Sequence, residues 1–225
     1  MPTKLNQLQS ELSAELDSIL GYWSKKTIDN QNDGFIGQIN SNEEIISDAD
    51  KGSVLNARIL WSFSAAYQNT KNEEHKKIAT RAFDFLSNHF YDSEFGGLFW
   101  SINADTTPKD TKNQIYALAF AIYGFSEYYV ISKDEKALAI AINLYLRIQK
   151  HSYDPVNKGY LEAFTRDWQP IEDLRLSDKD ANEKKTMNTH LHIVEAYANL
   201  FKVRKDKTLQ KDIIDLLQTI AKHFF

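Results

Sequence analysis

The sequence predicts an all-α protein, a partial toroid of helix hairpins with short β-hairpins at one rim, and three observations lead there. Gly (8) and Pro (4) are scarce among 225 residues while 42% are apolar, a balance that suits helices rather than a sandwich of short strands. Three glycine-bearing segments resemble one another: Asn32-Asp-Gly-Phe-Ile-Gly-Gln-Ile-Asn40, Phe95-Gly-Gly-Leu-Phe-Trp-Ser-Ile-Asn103 and Lys158-Gly-Tyr-Leu-Glu-Ala-Phe-Thr165, with Gly34, Gly97 and Gly159 63 and 62 positions apart. After each come a polar connector, an apolar helix, a break and an amphipathic helix. The apolar helix must be the inner member of such a pair and the amphipathic one the outer. Solenoids of helix pairs compete, but their repeats of about 33–47 residues are shorter than this one.

Taken in order, residues from about Leu5 to Trp23 form an amphipathic outer helix. The first hairpin follows, then an inner helix from near Ser53. Thr70-Lys-Asn-Glu73 reads as a capping box opening the next outer helix, and Ser132-Lys-Asp-Glu135 repeats it. The second inner helix is expected near Thr111, with Thr111-Lys-Asn-Gln114 as its capping box, and the third near Thr186. Lys205-Asp-Lys-Thr-Leu209 precedes the last outer helix. The outer helices end alike, in His89-Phe-Tyr91, His151-Ser-Tyr153 and His223-Phe-Phe225.

Composition removes several functions. A net charge of −4 with scattered Lys and Arg gives no basic stripe for nucleic acid. The absence of cysteine excludes thiolate catalysis, disulfides and cysteine zinc sites. The polar start lacks the apolar run of a secretory signal. The longest apolar run, Ile115 to Phe125, is too short to span a bilayer and reads as a buried helix. A cytoplasmic protein with no membrane partner is expected.

The third inner helix carries the chemical signal. Met187, Leu191, Val194, Ala198 and Phe201 recur at spacings of three and four, but Asn188 and His192 interrupt that side one turn apart. Burying an amide and an imidazole without partners costs about 1–3 kcal/mol each. Aligning Tyr67, Tyr129 and Phe201 superposes Arg58, Phe120 and His192, and one turn earlier Val54, Tyr116 and Asn188. Arg58, Tyr116, Asn188 and His192 thus converge at the hairpin rim if the helices line a ring. Each has a structural alternative: Arg58 satisfying an inner carboxylate or loop carbonyls, Tyr116 as a core aromatic, His192 as a satisfied core histidine. His190 faces elsewhere and reads as structural, so a His-x-His metal site is not expected. Trp61, Trp100 and Trp168 offer flat apolar faces on which a ligand ring could stack, although packing between helices suits Trp61 better. His75, His89, His151 and His223 fall where solvated or C-capping histidines are expected.

With Asn56-Ala-Arg-Ile-Leu-Trp-Ser-Phe-Ser64, Gly96-Gly-Leu-Phe-Trp100, Gln114-Ile-Tyr-Ala-Leu-Ala-Phe120 and the long Lys179-to-Tyr197 segment, the chain resembles the N-acylglucosamine 2-epimerase superfamily, within it the cellobiose 2-epimerases. The resemblance covers essentially the whole chain. It implies an (α/α)6 barrel and interconversion of glucose and mannose configuration at the reducing end of β-1,4-linked disaccharides, without metal or nucleotide cofactor. By that resemblance Arg58 and His192 are catalytic, Arg58 stabilising the enediolate and His192 assisting near C1. Tyr116, Asn188 and Trp100 hold the sugar. Asp180, which alone reads as a cap or loop residue, joins their network.

Members of the superfamily are about twice this length. Their two proton-transferring histidines, one in a His-Asp-Ile-Glu motif, have no counterpart here. The resemblance therefore implies a single domain over residues 1–225 that forms the N-terminal part of the barrel, truncated after four outer and three inner helices and inactive alone. Its open edge would favour self-association. Two other functions remain at this stage: an aldose–ketose (mannose) isomerase of the same superfamily, and a non-catalytic helical-repeat binding protein.

Overall fold

A computed structural model describes residues 4–224. Among the described residues seven α-helices run in the order α1 (Lys4–Lys26), α2 (Ser53–Thr70), α3 (Glu73–Phe85), α4 (Ile115–Ser132), α5 (Glu135–His151), α6 (Met187–Val203) and α7 (Lys207–His223), with a π-helical turn, Leu86–Phe90, extending α3. Helix α4 lies between α2 and α6, while α3, α5 and α7 each back onto the helix before them. The three inner helices thus stand side by side as the pattern of apolar residues predicts.

The difference in patterning explains the layers. Helix α4 buries Ile115, Leu118, Phe120, Ile122, Phe125 and Tyr128, residues pointing all round its axis. Helix α5 buries only a stripe, Ala137, Ile140, Ala141, Leu144, Tyr145 and Ile148, at spacings of one, three and four. Among the described residues α4 has the length and hydropathy of a membrane span, yet two-thirds of it (67%) is buried by its neighbours. It is the core helix. Gly124 lets α2 approach, since a Cβ there would lie 2.8 Å from the Ala57 carbonyl. Further along, the Glu127 carboxylate accepts from Gln68 on α2 and from Asn199 on α6, tying the three inner helices together.

Helix α1 differs from the other outer helices. Leu20 is its buried residue, and Leu5, Leu8, Leu12, Leu16 and Ile19 form an exposed apolar stripe.

The rim is built from strands of two or three residues. Strand β1 (Lys51–Gly52) pairs antiparallel with β4 (Ser101–Ile102), and β6 (Asn113–Gln114) with β7 (Ala163–Phe164). Strand β2 (Tyr91–Asp92) pairs with β3 (Gly97–Leu98), and β5 (Pro108–Asp110) lies beside β4. Strands β1 and β6 immediately precede the inner helices α2 and α4, and their partners β4 and β7 come from the following hairpin. The hairpin also supplies a cap: Ser53 donates its N–H and hydroxyl to the Trp100 carbonyl, and Ile115 donates its N–H to the Glu162 carbonyl.

Each hairpin closes on an aspartate. Asp29, Asp92 and Asp154 accept two backbone N–H groups apiece within their own turns, from Gln31 and Asn32, Glu94 and Phe95, and Val156 and Asn157. The other carboxylate oxygen of each holds a cation: Lys51 at 2.7 Å, Arg166 at 2.6 Å and Lys185 at 2.7 Å. Lys51 and Lys185 further donate to the carbonyls of Asp33 and Lys158, each next to a left-handed glycine, Gly34 and Gly159.

Several expected boundaries move. Helix α4 starts at Ile115, not Thr111, because Asn113 and Gln114 are held in strand β6. The caps of α3, α5 and α7 are Asn72, Asp134 and Asp206. Thr70 and Ser132 instead close the helices before them, bonding back to the Ala66 and Tyr128 carbonyls. His75 is buried against Thr70 Oγ1, and His151 stacks on Trp168 with its Nε2 buried, so neither is a solvated end group.

Candidate active site

The first two turns of α2, α4 and α6 bring Arg58, Tyr116 and His192 to one place, with Phe120 among them. The Arg58 guanidinium carbon lies 5.2 Å from the Phe120 ring centre, and the His192 ring 4.4 Å from that centre. Tyr116 completes the cluster, edge-on to His192 at 4.9 Å and 5.1 Å from Phe120. The residues that repeat alignment makes equivalent (Arg58, Phe120, His192) therefore stack in a row across the three inner helices.

Their polar ends are uncommitted. Among the described residues Arg58 has neither ion pair nor hydrogen bond, and neither the Tyr116 hydroxyl nor the Asn188 amide has a hydrogen bond. His192 binds at one nitrogen alone, Nδ1 to Glu195 Oε2 at 2.7 Å, which leaves Nε2 available. Burial is graded to match: Arg58 and Asn188 are exposed, Tyr116 and His192 half-buried. Arg58 also borders a hollow of about 240 Å³ lined by Leu20, Trp23, Leu55, Ile59 and Phe63 between α1 and α2.

Asn188 and Asp180 share a neighbouring cavity of about 190 Å³, lined also by Glu162, Arg175 and Thr186. Asp180 Oδ2 accepts the N–H and hydroxyl of Ser177 at 2.9 and 2.8 Å and so closes a turn of the connector. Trp100 stands apart from the aromatic cluster, half-buried, with the Lys112 ammonium 5.5 Å from its ring centre. Trp61 stacks on Tyr123 at 5.0 Å, a packing role. His190 is 1% exposed; its Nδ1–H donates to the Thr186 carbonyl and its Nε2 accepts from Tyr160 N–H, and burial lowers its pKa. It is structural, as its place on the helix predicts. No three His, Asp or Glu side chains among the described residues are grouped as metal ligands.

Glu162 and Glu195 are two neighbours of the site that the sequence reading does not single out. Glu195 is visible in principle, three residues after His192 on the same helix. Glu162 is not, because its partners lie 24 and 27 residues away.

The N-acylglucosamine 2-epimerase (GlcNAc 2-epimerase) family model matches residues 34–225. The chain belongs to this family. A cellobiose 2-epimerase of Bacteroides fragilis is 52% identical over 211 residues, covering 93% of this chain and 54% of that protein. One from Ruminococcus albus is 40% identical over 194 residues, covering 86% and 49%. The solved cellobiose 2-epimerase of Bacillus thermoamylovorans superposes with a TM-score of 0.90 at 34% identity over 95% of this chain and 55% of that one. A D-mannose isomerase structure shares the fold, with a TM-score of 0.79 at 21% identity. The chain spans about half the length of these relatives. Its helices are part of an (α/α)6 barrel, and its family is one of carbohydrate epimerases.

Proposed function

We propose that these 225 residues form the charge-stabilising half of a sugar 2-epimerase acting at the reducing end of β-1,4-linked disaccharides, through an enediolate. The observation that carries this reading is the set of three uncommitted polar ends, Arg58, Tyr116 and His192 Nε2, gathered around one phenylalanine ring, with the unpartnered Asn188 amide one turn before His192 on α6. Removing a proton alpha to an aldehyde leaves negative charge on oxygen, which needs preorganised donors in a site shielded from water. Arg58 supplies a fixed cation, and Tyr116 and Asn188 supply neutral donors. Glu195 holds Nδ1 of His192, which leaves Nε2 free to assist near C1 and its oxygen.

The same cluster presents one imidazole, and moving a proton off one face of C2 and back on the other takes two positioned groups. We infer that residues 1–225 bind the disaccharide without turning it over. Titrating cellobiose against the chain while following tryptophan fluorescence tests the binding. A hydrogen bond to a charged group contributes about 1.5–3 kcal/mol, so Arg58→Ala weakens binding by about ten- to hundredfold. His192→Ala is expected to weaken it as well. Binding that ignores both substitutions, or interconversion of cellobiose by the unaltered chain, overturns the reading.

A further inference from the structure

Glu162 is a residue whose bonds reach the first turns of two site-bearing helices at once. It belongs to the third hairpin and is 2% exposed. Its carbonyl accepts the N–H of Ile115, the first residue of α4, at 2.9 Å, and its own N–H donates to the Lys184 carbonyl at 3.1 Å. Its side chain turns to α6. Oε1 accepts the Thr186 N–H at 2.7 Å, and Oε2 accepts from Thr189 Oγ1 at 2.5 Å. The carboxylate therefore sits at the start of α6, where unpaired amides and the helix dipole favour negative charge.

Repeat symmetry separates the two jobs. Counting from Gly97 and Gly159, Trp100 occupies the position of Glu162 in the second hairpin, and its carbonyl likewise caps the preceding inner helix at Ser53. The backbone task is thus common to both hairpins. The side-chain task is not: Glu162 reaches forward to α6, the inner helix that carries both Asn188 and His192. Asn188 and Thr189 are adjacent on that helix, and Tyr116 follows Ile115 directly on α4. The far ends of α4 and α6 are already tied by Asn199, which donates to Glu127 and to the Tyr123 carbonyl.

Building on the sugar-site reading, we propose that Glu162 is a positioning residue, its carboxylate fixing the first turn of α6 against that of α4 and so the spacing of Tyr116 from Asn188 and His192. The test uses the whole chain with Glu162→Ala, Glu162→Gln and Thr189→Val, and two readouts: ring-to-ring NOEs between Tyr116 and His192, and cellobiose affinity. Glu162→Ala and Thr189→Val lose or weaken the NOEs and bind cellobiose about tenfold more weakly, as loss of a buried hydrogen-bonded anchor implies. Glu162→Gln retains an acceptor for the Thr186 N–H and restores both. A variant with lowered Tm but unchanged NOEs and affinity overturns the proposal, because it makes Glu162 a matter of stability alone. If Glu162→Ala does not fold, Thr189→Val decides the question. Failure of the unaltered chain to bind cellobiose would count against the sugar reading, and the NOEs would still decide the positioning.

Discussion

Asp29→Asn is the substitution whose cost can be worked most directly from the structure. Burial opposes the charge on Asp29, but the Lys51 hydrogen bond, the Asn32 and Gln31 amides and the Lys51 charge outweigh it and hold the carboxyl at about 2, against 3.8. Its side chain is 13% exposed and that of Lys51 1%, so solvent screens the pair little. At 1.36 kcal/mol per unit, the difference amounts to about 2 kcal/mol of stability at neutral pH. The folded pKa is depressed, so this contribution is complete above 3.8 and is lost as pH falls through about 2. Asparagine keeps an acceptor for the Gln31 and Asn32 amides, which leaves the turn intact and isolates the charge. Urea unfolding at about pH 7 and about pH 3 is the assay. The variant is expected to be about 2 kcal/mol less stable at the higher pH, with the gap narrowing at the lower. A gap that stays constant with pH, or none at neutral pH, refutes the assignment of Lys51 as the clamp.

Two further outcomes follow from single contacts. His190→Gln tests the buried imidazole: its folded pKa lies below 6.5 through burial, so the unfolded chain takes up the proton first as pH falls. The unaltered chain should lose stability below pH 6.5 with a steeper slope than His190→Gln, and parallel slopes in thermal melts would contradict this. Gly124→Ala would ordinarily stabilise a helix by about 1 kcal/mol. Here the added Cβ meets the Ala57 carbonyl at 2.8 Å, and overpacking of about 1–3 kcal/mol should reverse the sign. A raised Tm would show that α2 and α4 part freely.

The layering and the meeting of Arg58, Tyr116 and His192 were legible because both follow from periodicity. Residues at the same place in three like helices occupy like places in a ring. The caps were misread by two residues for a definable reason. Thr70 and Ser132 fit the capping-box pattern, but their hydroxyls bond back to the Ala66 and Tyr128 carbonyls, and Lys71 and Lys133 adopt the left-handed conformation that ends the helix. The chain then needs a fresh cap, which Asn72 and Asp134 provide. The start of α4 was hidden by a non-local event, the pairing of Asn113 and Gln114 with a hairpin about fifty residues on. Glu162 was hidden in the same way. A hairpin side chain whose partners lie at the start of a helix more than twenty residues on leaves no periodic trace.

The borrowed caps have a consequence for the nascent protein. Ser53 receives its acceptor from Trp100, and Ile115 receives its own from Glu162, so the first N–H groups of α2 and α4 find their partners only after the ribosome has made the following hairpin. Seating of these two helix starts therefore trails synthesis by one repeat, whereas the start of α6 meets Glu162, which has already emerged.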